Sequence, residues 1–598
     1  MCGIVGVFNH AQAVEQVLSG LEKIGHRGRD GYGLCFRLSS AQGLVHGSAH
    51  SGNGFGNGKG RVGDSVVFER NLADLRRSLE RSLKKETSAS LPSRLHALGH
   101  ALHALVGFVP QPLRGAGVLA ANCEIYNWKA LALKYHIDAA NDSELLLKLI
   151  EKKGIENLKD TLAELDGVYA FVYWQGSSVY LVRDIMGVKP LWYVSDGDTD
   201  MFAVSSEQKV LCALSRETHL EIIRELNPRE ILIYDLCSRE MSREHRPFFS
   251  PEPEARLPQK ALEDSVLKLL TQAVKKRIPE TSCMPVGLLF SGGVDSTTLG
   301  LLLQRLGADF ICYTAVIDDP KFSPAPDLLY AERASREYGF KLVVVRISLN
   351  EVEGYLKKVV PLIEDSNVVK VGVALPFYLA SERAQKDGCR VLFSGLGSEE
   401  VFAGYERHRR SANVNLECRS GLLKMYERDL YRDDVITMAH SIELRLPYLD
   451  RDLVCFGLGI PPRFKLGDER DKIILRRVAE RLGLSKEFAW RRKQAAQYGS
   501  KCDRAIEKLA HGKKMTKSGY LKTFFSVPNL RLGVLFSSGK DSTYALSVMK
   551  EQNYEISCLI SLKSENKDSY MFHTPAIDLV HLQAEAMGIP LLVRRTAG

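Results

Sequence analysis

Hydrophobic residues in the first 240 positions fall into short runs that turn residues separate. The clearest runs are Val66–Phe68, Val168–Tyr173 and Ser178–Val182. Their β-branched and aromatic residues are typical of strands. Asp142 to Lys153 has a helical pattern, and Gly52 to Gly63, with glycine at nearly every second position, predicts a flexible loop. We therefore expect a two-sheet sandwich with flanking helices over residues 1–240.

A different pattern begins after residues 251–258, whose proline and glutamate content predicts a linker. Apolar runs now alternate with helical segments, and the runs are Val286–Phe290, Phe310–Thr314, Leu342–Val345 and Arg390–Phe393. Buried runs of this kind, separated by helices, are typical of a parallel sheet. Helical patterns dominate from about residue 420 to 510, and the polar, basic segment His511–Ser518 predicts a second linker. We expect an α/β domain over residues 255–510.

The strand–helix pattern starts again at Arg531. Predicted strands at Leu532–Phe536, Glu555–Ser561 and Leu591–Val593 alternate with helices, the second of them near Asp578–Met587. Three strands are too few for a complete nucleotide-binding sheet. The sequence therefore predicts an α/β fold class throughout, with a partial third unit over residues 529–598.

Composition narrows the class of protein. The chain is 45% hydrophobic and 26% charged, as in ordinary globular proteins. It has neither an apolar run of ~18 residues nor the pattern of a signal peptide. Its 12 cysteines are scattered and are interpreted as reduced thiols, which favours a cytoplasmic protein without a membrane partner. The net charge of +9 is mixed along the chain, so a solvated basic face explains it better than a nucleic-acid surface. The oligomeric state stays open, a homo-oligomer included.

Two glycine-containing loops each lie between a predicted strand and a predicted helix. In Ser291–Ser296, Gly292 and Gly293 would let backbone N–H groups approach phosphate, Ser291 and Ser296 add hydroxyl donors, and Asp295 is suited to hold Mg²⁺. The P-loop spacing is absent. The second loop is of a similar type, with Ser538 and Lys540 where the first has Gly292 and Val294, and its candidate phosphate ligands are Ser537, Gly539, Lys540, Asp541 and Ser542.

Cys2 is a candidate nucleophile. Removal of Met1 would make Cys2 the N-terminal residue, and its α-amine, with an unperturbed pKa of about 8, could then act as the base for its own thiol.

Further motifs follow in a fixed order, and together with the first loop they resemble a known family. The loop is similar to that of PP-loop ATP pyrophosphatases, which make an adenylate from ATP and release pyrophosphate. The other motifs are His26–Asp30, Asn122–Asn127, Asn141–Glu144, Arg183–Leu191, Ser205–Glu207, Ser394–Tyr405, Glu443–Asp450 and Arg492–Lys493. Residues 1 to about 505 thus resemble the glutamine-hydrolysing asparagine synthetases.

The resemblance implies an N-terminal Ntn-type αββα glutaminase followed by a PP-loop domain that uses ATP and Mg²⁺. Cys2 would attack the glutamine amide, with the Asn122 side chain and the Cys123 N–H as the oxyanion hole. Asn122, Glu124 and Asp142 would bind glutamine, Asp142 through the α-amino group. The implied ATP ligands are Leu289, Ser291, Gly292, Gly293, Asp295, Ser296, Ala315, Ser394, Gly395 and Lys493, and the implied metal ligands are Asp295 and Glu399.

Departures from the family pattern leave alternatives open. Leu102 replaces the arginine that would pair with the glutamine carboxylate, and Leu396 replaces a glutamate tied to the aspartyl adenylate. The expected reaction is amidation of aspartate with ammonia from glutamine. The alternatives are another carboxylate, a PP-loop ligase that uses free ammonia (diphthine–ammonia ligase activity included), and a nucleotide-binding regulator with a decayed glutaminase. Residues 531–598 resemble the first half of diphthine–ammonia ligases, and are either an ATP site or a vestigial segment.

Overall fold

The computed structural model describes residues 2–39, 65–86, 94–195, 200–218, 223–280, 284–320, 322–492, 495–528, 531–566 and 577–597. The predicted loop Gly52–Gly63 lies outside these residues. The chain forms two compact units. The first comprises Met1–Thr314, Tyr330–Val343 and Ala380–Lys493, and the second comprises Ala315–Leu329, Val344–Leu379 and Gln494–Gly598.

The first 245 residues contain most of the strands. The elements in chain order are β1 (Gly3–His10), α1 (Ala13–Lys23), β2 (Gly31–Ser39), β3 (Ser65–Glu69), α2 (Leu72–Glu86), β4 (Arg94–Leu102), β5 (Leu113–Arg114), β6 (Val118–Ile125), α3 (Trp128–Tyr135), α4 (Asp142–Lys153), α5 (Leu158–Glu164), β7 (Gly167–Gln175), β8 (Ser178–Arg183), β9 (Trp192–Ser195), β10 (Phe202–Ser205), α6 (Gln208–Thr218), β11 (Arg224–Glu225), β12 (Glu230–Asp235) and β13 (Met241–His245). The strands predicted at β3, β7 and β8 and the helix predicted at α4 are confirmed.

These strands form two antiparallel sheets, in the orders β11-β9-β10-β1-β4-β2-β3 and β13-β12-β8-β7-β6-β5. Side chains of both sheets share one core, in which Phe8 of β1 meets Trp174 of β7 edge to face. The other face of the first sheet packs under α1 and α6, and the other face of the second packs under α4 and α5. The predicted αββα sandwich is confirmed.

Helices predominate after the irregular segment 251–258. The elements are α7 (Gln259–Lys275), β14 (Val286–Leu289), α8 (Val294–Arg305), β15 (Phe310–Ile317), α9 (Pro326–Tyr338), β16 (Leu342–Ile347), α10 (Leu349–Leu362), α11 (Val368–Lys386), β17 (Val391–Phe393), α12 (Ser398–Val401), α13 (Glu406–Arg410), α14 (Val414–Met425), α15 (Tyr431–Ala439), β18 (Glu443–Arg445), α16 (Arg451–Leu458), α17 (Ile473–Arg481), α18 (Lys486–Ala489), α19 (Ala496–Gly499), α20 (Cys502–Gly512) and α21 (Lys517–Lys522).

The strands of this region form one sheet in the order β16-β15-β14-β17-β18, and the pairs β14–β15, β14–β17 and β17–β18 are parallel. All four strands predicted here are confirmed. The linker predicted at His511–Ser518 is wrong, because α20 continues to Gly512 and α21 begins at Lys517. Polar and basic residues there lie on exposed faces of two packed helices, and composition alone does not distinguish such faces from a linker.

The last elements are β19 (Arg531–Leu535), α22 (Lys540–Glu551), β20 (Glu555–Ser564), α23 (Val580–Met587) and β21 (Leu591–Thr596). The three strands form a parallel sheet in chain order. Val534, Leu559 and Leu591 pack with the helices on one face. Leu535 and Leu592, on the opposite face, are 73% and 57% exposed. The predicted partial α/β unit is therefore confirmed.

Candidate active sites

Cys2 lies at the start of β1, opposite β6. Its backbone N donates a hydrogen bond of 3.0 Å to Oδ1 of Asn122. The thiol is buried, and burial raises its pKa. The Asn122 Nδ2 is also buried and has no hydrogen-bond partner among the described residues. A buried free N–H beside a nucleophile fits an oxyanion donor, because it is already desolvated and awaits an acceptor.

The other expected glutamine ligands lie in a dense charged cluster. Asp142 is buried, and its carboxylate already accepts hydrogen bonds from the backbone N–H groups of Ile125 at 3.0 Å and Ser143 at 2.9 Å. Burial raises its pKa to about 6. Glu124 pairs with Arg445 at 2.9 Å, yet burial raises its pKa. Asp142 and Glu124 therefore belong to one cluster. Both carboxylates already have hydrogen-bond or ion-pair partners, which a bound glutamine would have to share.

Leu102 leaves the cluster without the expected arginine, and the neighbouring Arg27 already has two carboxylate partners. Leu102 is buried at the end of β4. The Arg27 guanidinium is buried and bound to the carboxylates of Glu207 and Asp434. Arg390 lies on the other side of His103: its Nη2 is 3.1 Å from Asp30 Oδ2 and 3.2 Å from Nδ1 of His103, whose backbone N is 3.5 Å from Cys2 Sγ.

A cavity of about 290 Å³ opens beside this cluster. Leu105, Val106 and Glu124 line one side, and Arg390 and Arg445 line another. Its size is near the lower end of ligand pockets, which span about 300–1,000 Å³. The cavity can therefore admit a small amino acid beside Glu124.

The first phosphate loop has a closed, ordered backbone. Ser291 N donates to Ser296 Oγ at 3.4 Å, and Ser296 Oγ donates to the carbonyl of Gly293 at 3.3 Å. Gly292 has φ 63°, and a Cβ there would lie 2.5 Å from the carbonyl oxygen of Tyr330. The positive φ favours glycine at position 292, and the close approach to Tyr330 leaves no room for a side chain. Gly293 then precedes Val294, the first residue of α8, and backbone N–H groups at a helix N-terminus are suited to bind an anion.

Asp295 and Glu399 converge on one ammonium group. The Lys472 Nζ lies 2.8 Å from Asp295 Oδ1, 3.0 Å from Glu399 Oε1 and 3.0 Å from Ser398 Oγ. Oxygen ligands of this kind suit Mg²⁺ together with phosphate oxygens. Since the two carboxylates are already brought together by a single cation, they fit a magnesium–pyrophosphate site. No group of three or more metal-ligating side chains occurs among the described residues, so the phosphates would supply further ligands.

The remaining expected ATP ligands are placed as follows. Gly395 packs against Asp295, since a Cβ on it would lie 3.0 Å from the Asp295 Cβ. Ser394 precedes it at the end of β17, and its N donates to the carbonyl of Arg445 at 3.1 Å. Leu289 ends β14, and Ala315 lies on β15 after the residues that pair with β14. Lys493 lies outside the described residues.

Sequence reasoning missed two cations near this loop. Lys472, described above, occurs in no recognised motif, and it adopts φ 51° immediately before α17. Arg491 donates to the carbonyl of Ser291 at 2.9 Å and lies 3.7 Å above the ring of Tyr330. Lys472 and Arg491 lie about 180 and 200 residues from the loop in the sequence, so no local sequence pattern indicates their contact with it.

The second loop has the same backbone as the first. Gly539 and Gly293 share φ −82° and ψ 162°, and Ser538 and Gly292 have φ 67° and 63°. Ser537 N lies 3.3 Å from Ser542 Oγ, which donates to the Gly539 carbonyl at 3.0 Å. The loop at 537–542 is thus formed, although its side chains are largely exposed.

Family models match three parts of the chain. The glutamine amidotransferase domain matches residues 86–233, asparagine synthase matches 265–420 and 412–523, and the diphthamide synthase N-terminal domain matches 530–598. No helix among the described residues has the length and apolar character to cross a bilayer.

Relatives were found among curated proteins and solved structures. A protein of Methanocaldococcus jannaschii, provisionally named asparagine synthetase (glutamine-hydrolysing) 1, is 29% identical over 85% of this chain and 95% of its own length. The asparagine synthetase (glutamine-hydrolysing) of Rattus norvegicus is 30% identical over 64% of this chain and 72% of its own. The glutamine phosphoribosylpyrophosphate amidotransferase from B. subtilis has a TM-score of 0.32 at 18% identity, over 57% of this chain and 65% of its own.

The rat asparagine synthetase aligns with this chain over 413 residues. The glutamine amidotransferase and asparagine synthase models match successive parts of the chain, in the order that the motifs predict. The chain therefore belongs to the family of glutamine-hydrolysing asparagine synthetases.

Proposed function

We propose that this protein is an ATP-dependent ligase that amidates a carboxylic acid with ammonia from glutamine, and that aspartate is the acid. The proposal rests on the contacts of Arg445. Arg445 accepts a hydrogen bond from Ser394 through its carbonyl and pairs with Glu124 through its guanidinium. A single residue thus contacts both the predicted ATP site and the predicted glutamine site.

At the first site, the Cys2 thiol would attack the glutamine amide carbon. Because burial raises the thiol pKa, a base must remove its proton, and the α-amine of Cys2 would do so after Met1 is removed. The Asn122 Nδ2, buried and free, and the Cys123 N–H would stabilise the oxyanion. Each donor is worth about 3 kcal/mol in comparable sites. Ammonia leaves, and water then hydrolyses the thioester.

Arg390 supplies the cation that Leu102 does not. It borders the cavity beside Glu124, whereas Arg27 is buried and pairs through Nε with Glu207 and through Nη2 with Asp434. Arg445 pairs with both Glu124 and Glu443, the latter at 2.7 Å. Arg390 is 30% exposed and has one carboxylate contact, Asp30, so its guanidinium can turn to the α-carboxylate of glutamine.

At the second site, the loop 291–296 would hold the ATP phosphates through backbone N–H groups and serine hydroxyls. Asp295 and Glu399 would hold Mg²⁺, which neutralises charge on the pyrophosphate. Lys472 would then contact phosphate oxygens, since it already lies between the two carboxylates. The acid substrate would receive AMP, and ammonia would displace AMP to give the amide.

The identity of the acid rests on the family, because Leu396 removes the carboxylate expected there. Glu400 does not take its place in this structure. It is fully buried against α14, where a Cβ on Gly421 would lie 3.2 Å from its Cγ. Burial, followed by repulsion from Glu399 and Asp429, raises its pKa to about 7. Glu400 is thus directed to α14 rather than to Lys472.

The experiment incubates the full-length protein with ATP, Mg²⁺, glutamine and one acid at a time, and measures pyrophosphate release and the amide by mass spectrometry. We expect asparagine and stoichiometric pyrophosphate with aspartate. If pyrophosphate were released only with a different acid, the ligase activity would stand but aspartate would not be the substrate. Activity with ammonium but not with glutamine would reject the Cys2 site. If no acid gave pyrophosphate although the protein still bound ATP, the result would favour a nucleotide-binding regulator over a ligase.

A further inference from the structure

A second cavity, of about 300 Å³, is lined neither by Cys2 nor by the loop 291–296. Its walls come from the glutaminase sandwich and from the region after α7. The apolar side chains that line it are Leu162, Leu165, Val168, Met186, Phe249 and Leu449. These side chains belong to several separate segments, so the cavity exists only when the segments are assembled.

Two buried arginines border this apolar space. Arg246 is 8% exposed and Arg277 is 2% exposed, and the Nε of each is buried without a hydrogen-bond partner among the described residues. Arg277 also has a carboxylate partner, because its Nη1 lies 2.7 Å from Asp450. Arg246 contacts the carbonyls of Arg183 and Pro228 and, at 3.4 Å, the hydroxyl of Tyr169. Its described contacts include no carboxylate.

Among the described contacts, none of the other charged side chains at the cavity makes a hydrogen bond or ion pair with Arg246. Asp184 accepts backbone N–H groups from Tyr169, Val188 and Lys189. Asp166 pairs with Lys276 at 2.6 Å, and Arg451 donates to the carbonyl of Ala163 at 2.7 Å. Lys159 and Asp160, at the rim, are exposed. A buried cation without an anionic partner is unfavourable, and an anion brought to it relieves that penalty.

We propose that this cavity binds a small monocarboxylic acid with an apolar body, its carboxylate accepting the free N–H groups of Arg246 and Arg277. The apolar side chains would cover the body of the ligand, as in other small-molecule sites. Bidentate geometry favours a carboxylate over a neutral amide, because the guanidinium pairs with it through charge-assisted bonds. Since the walls come from both regions, the bound acid would also stabilise their contact.

The test titrates the full-length protein with hexanoate and phenylacetate by isothermal calorimetry, with hexanamide as the uncharged isostere. We expect hexanoate to bind at least tenfold more tightly than hexanamide and to raise the melting temperature. The Ala163→Trp variant should lose hexanoate binding, because the exposed Ala163 borders the cavity and tryptophan would fill its mouth. Ala163→Ser should bind like the parent.

The contribution of the Arg246 charge is tested with a second pair of variants. Arg246→Met should remove the preference for the acid over the amide, whereas Arg256→Met, in the exposed part of the segment 251–258, should keep it. If Arg246→Met does not fold, Ala163→Trp with its serine control decides the question alone. Equal binding of acid and amide, no binding of either probe, or binding that survives Ala163→Trp would overturn the proposal. These outcomes are independent of amide synthesis, which is assayed without the probes.

Discussion

At the scale of single residues, Cys2 separates the two proposed reactions. Cys2→Ala removes the proposed nucleophile beside the Asn122 side chain, so glutamine-dependent amide synthesis should fall to background. Ammonium-dependent synthesis should persist, because the loop 291–296 is untouched. Paired assays with glutamine and with ammonium chloride measure this. The exposed Cys455 offers a matched control, Cys455→Ala, which should keep both activities. Equal loss of both activities in Cys2→Ala would contradict the two-site arrangement.

Arg390 gives a sharper test of glutamine recognition. One charge-assisted hydrogen bond is worth about 1.5–3 kcal/mol, so Arg390→Met should raise the glutamine KM by roughly 10- to 150-fold. The ammonium-dependent rate should not change, and Arg390→Lys should recover part of the loss. Lys386→Met, an exposed cation on α11, is the control. An unchanged glutamine KM in Arg390→Met would show that another group binds the carboxylate.

These two residues also show what a sequence can reveal of a site. Cys2 and Asn122 were predicted because each belongs to a short motif. Arg390 and Lys472 were not, because neither has a motif and each acts across long sequence separations: Arg390 is 360 residues from Asp30, and Lys472 is 177 from Asp295. Only the folded chain brings such pairs together, so departures such as Leu102 cannot be interpreted from sequence alone.

At the scale of elements, the two phosphate loops form a matched pair. Asp295→Asn removes a charge from the Asp295–Lys472–Glu399 cluster, so ATP–pyrophosphate exchange should fall by about 10²–10³-fold. Asp541→Asn makes the same change in the loop that is largely exposed, and should leave exchange unaltered. Glutamine hydrolysis should survive in both variants. If Asp541→Asn alone abolished exchange, the second loop would be the active one.

The elements themselves were largely predictable, for a physical reason. Period-2 alternation and buried apolar runs gave β3, β7, β8, β14 and β15, since side-chain direction and burial are local properties of a strand. The linker predicted at His511–Ser518 was wrong, because α21 begins at Lys517 and its Tyr520 and Leu521 are buried. Polar residues are common both at the start of a helix and in a linker, so the sequence pattern is the same in the two cases. Only the packing of the helix in the folded chain distinguishes them.

At the scale of the whole molecule, the glutaminase sandwich is fixed to the synthetase region by buried charges. The Arg27 guanidinium reaches Asp434, Arg445 reaches Glu124, and Ser441 Oγ donates to the carbonyl of His26 at 2.6 Å. Burial opposes ionisation of Glu443, but Arg445 and Lys189 lower its pKa to about 2. Because Arg445 also contacts Ser394, a change at either site can reach the other through one residue.

The C-terminal unit, by contrast, should be dispensable. Few polar contacts attach it within its compact unit, among them Ser518 Oγ to the carbonyl of Glu551 at 2.8 Å and Asn553 Nδ2 to that of Val527 at 3.1 Å. Deleting residues 529–598 should therefore leave amide synthesis largely intact, as measured by pyrophosphate release and by asparagine formed.

The isolated fragment 531–598 should aggregate and fail to bind ATP. The described residues of the fragment cover one face of its parallel sheet, whereas such sheets are normally covered on both. Leu535, Ile560 and Leu592 are aligned across the uncovered face by the strand register. Leu535→Lys combined with Leu592→Glu should make the fragment more soluble, because both side chains are exposed and contribute little to its core. Light scattering and ATP calorimetry measure both effects. A soluble parent fragment that binds ATP would instead make the loop 537–542 a second active site.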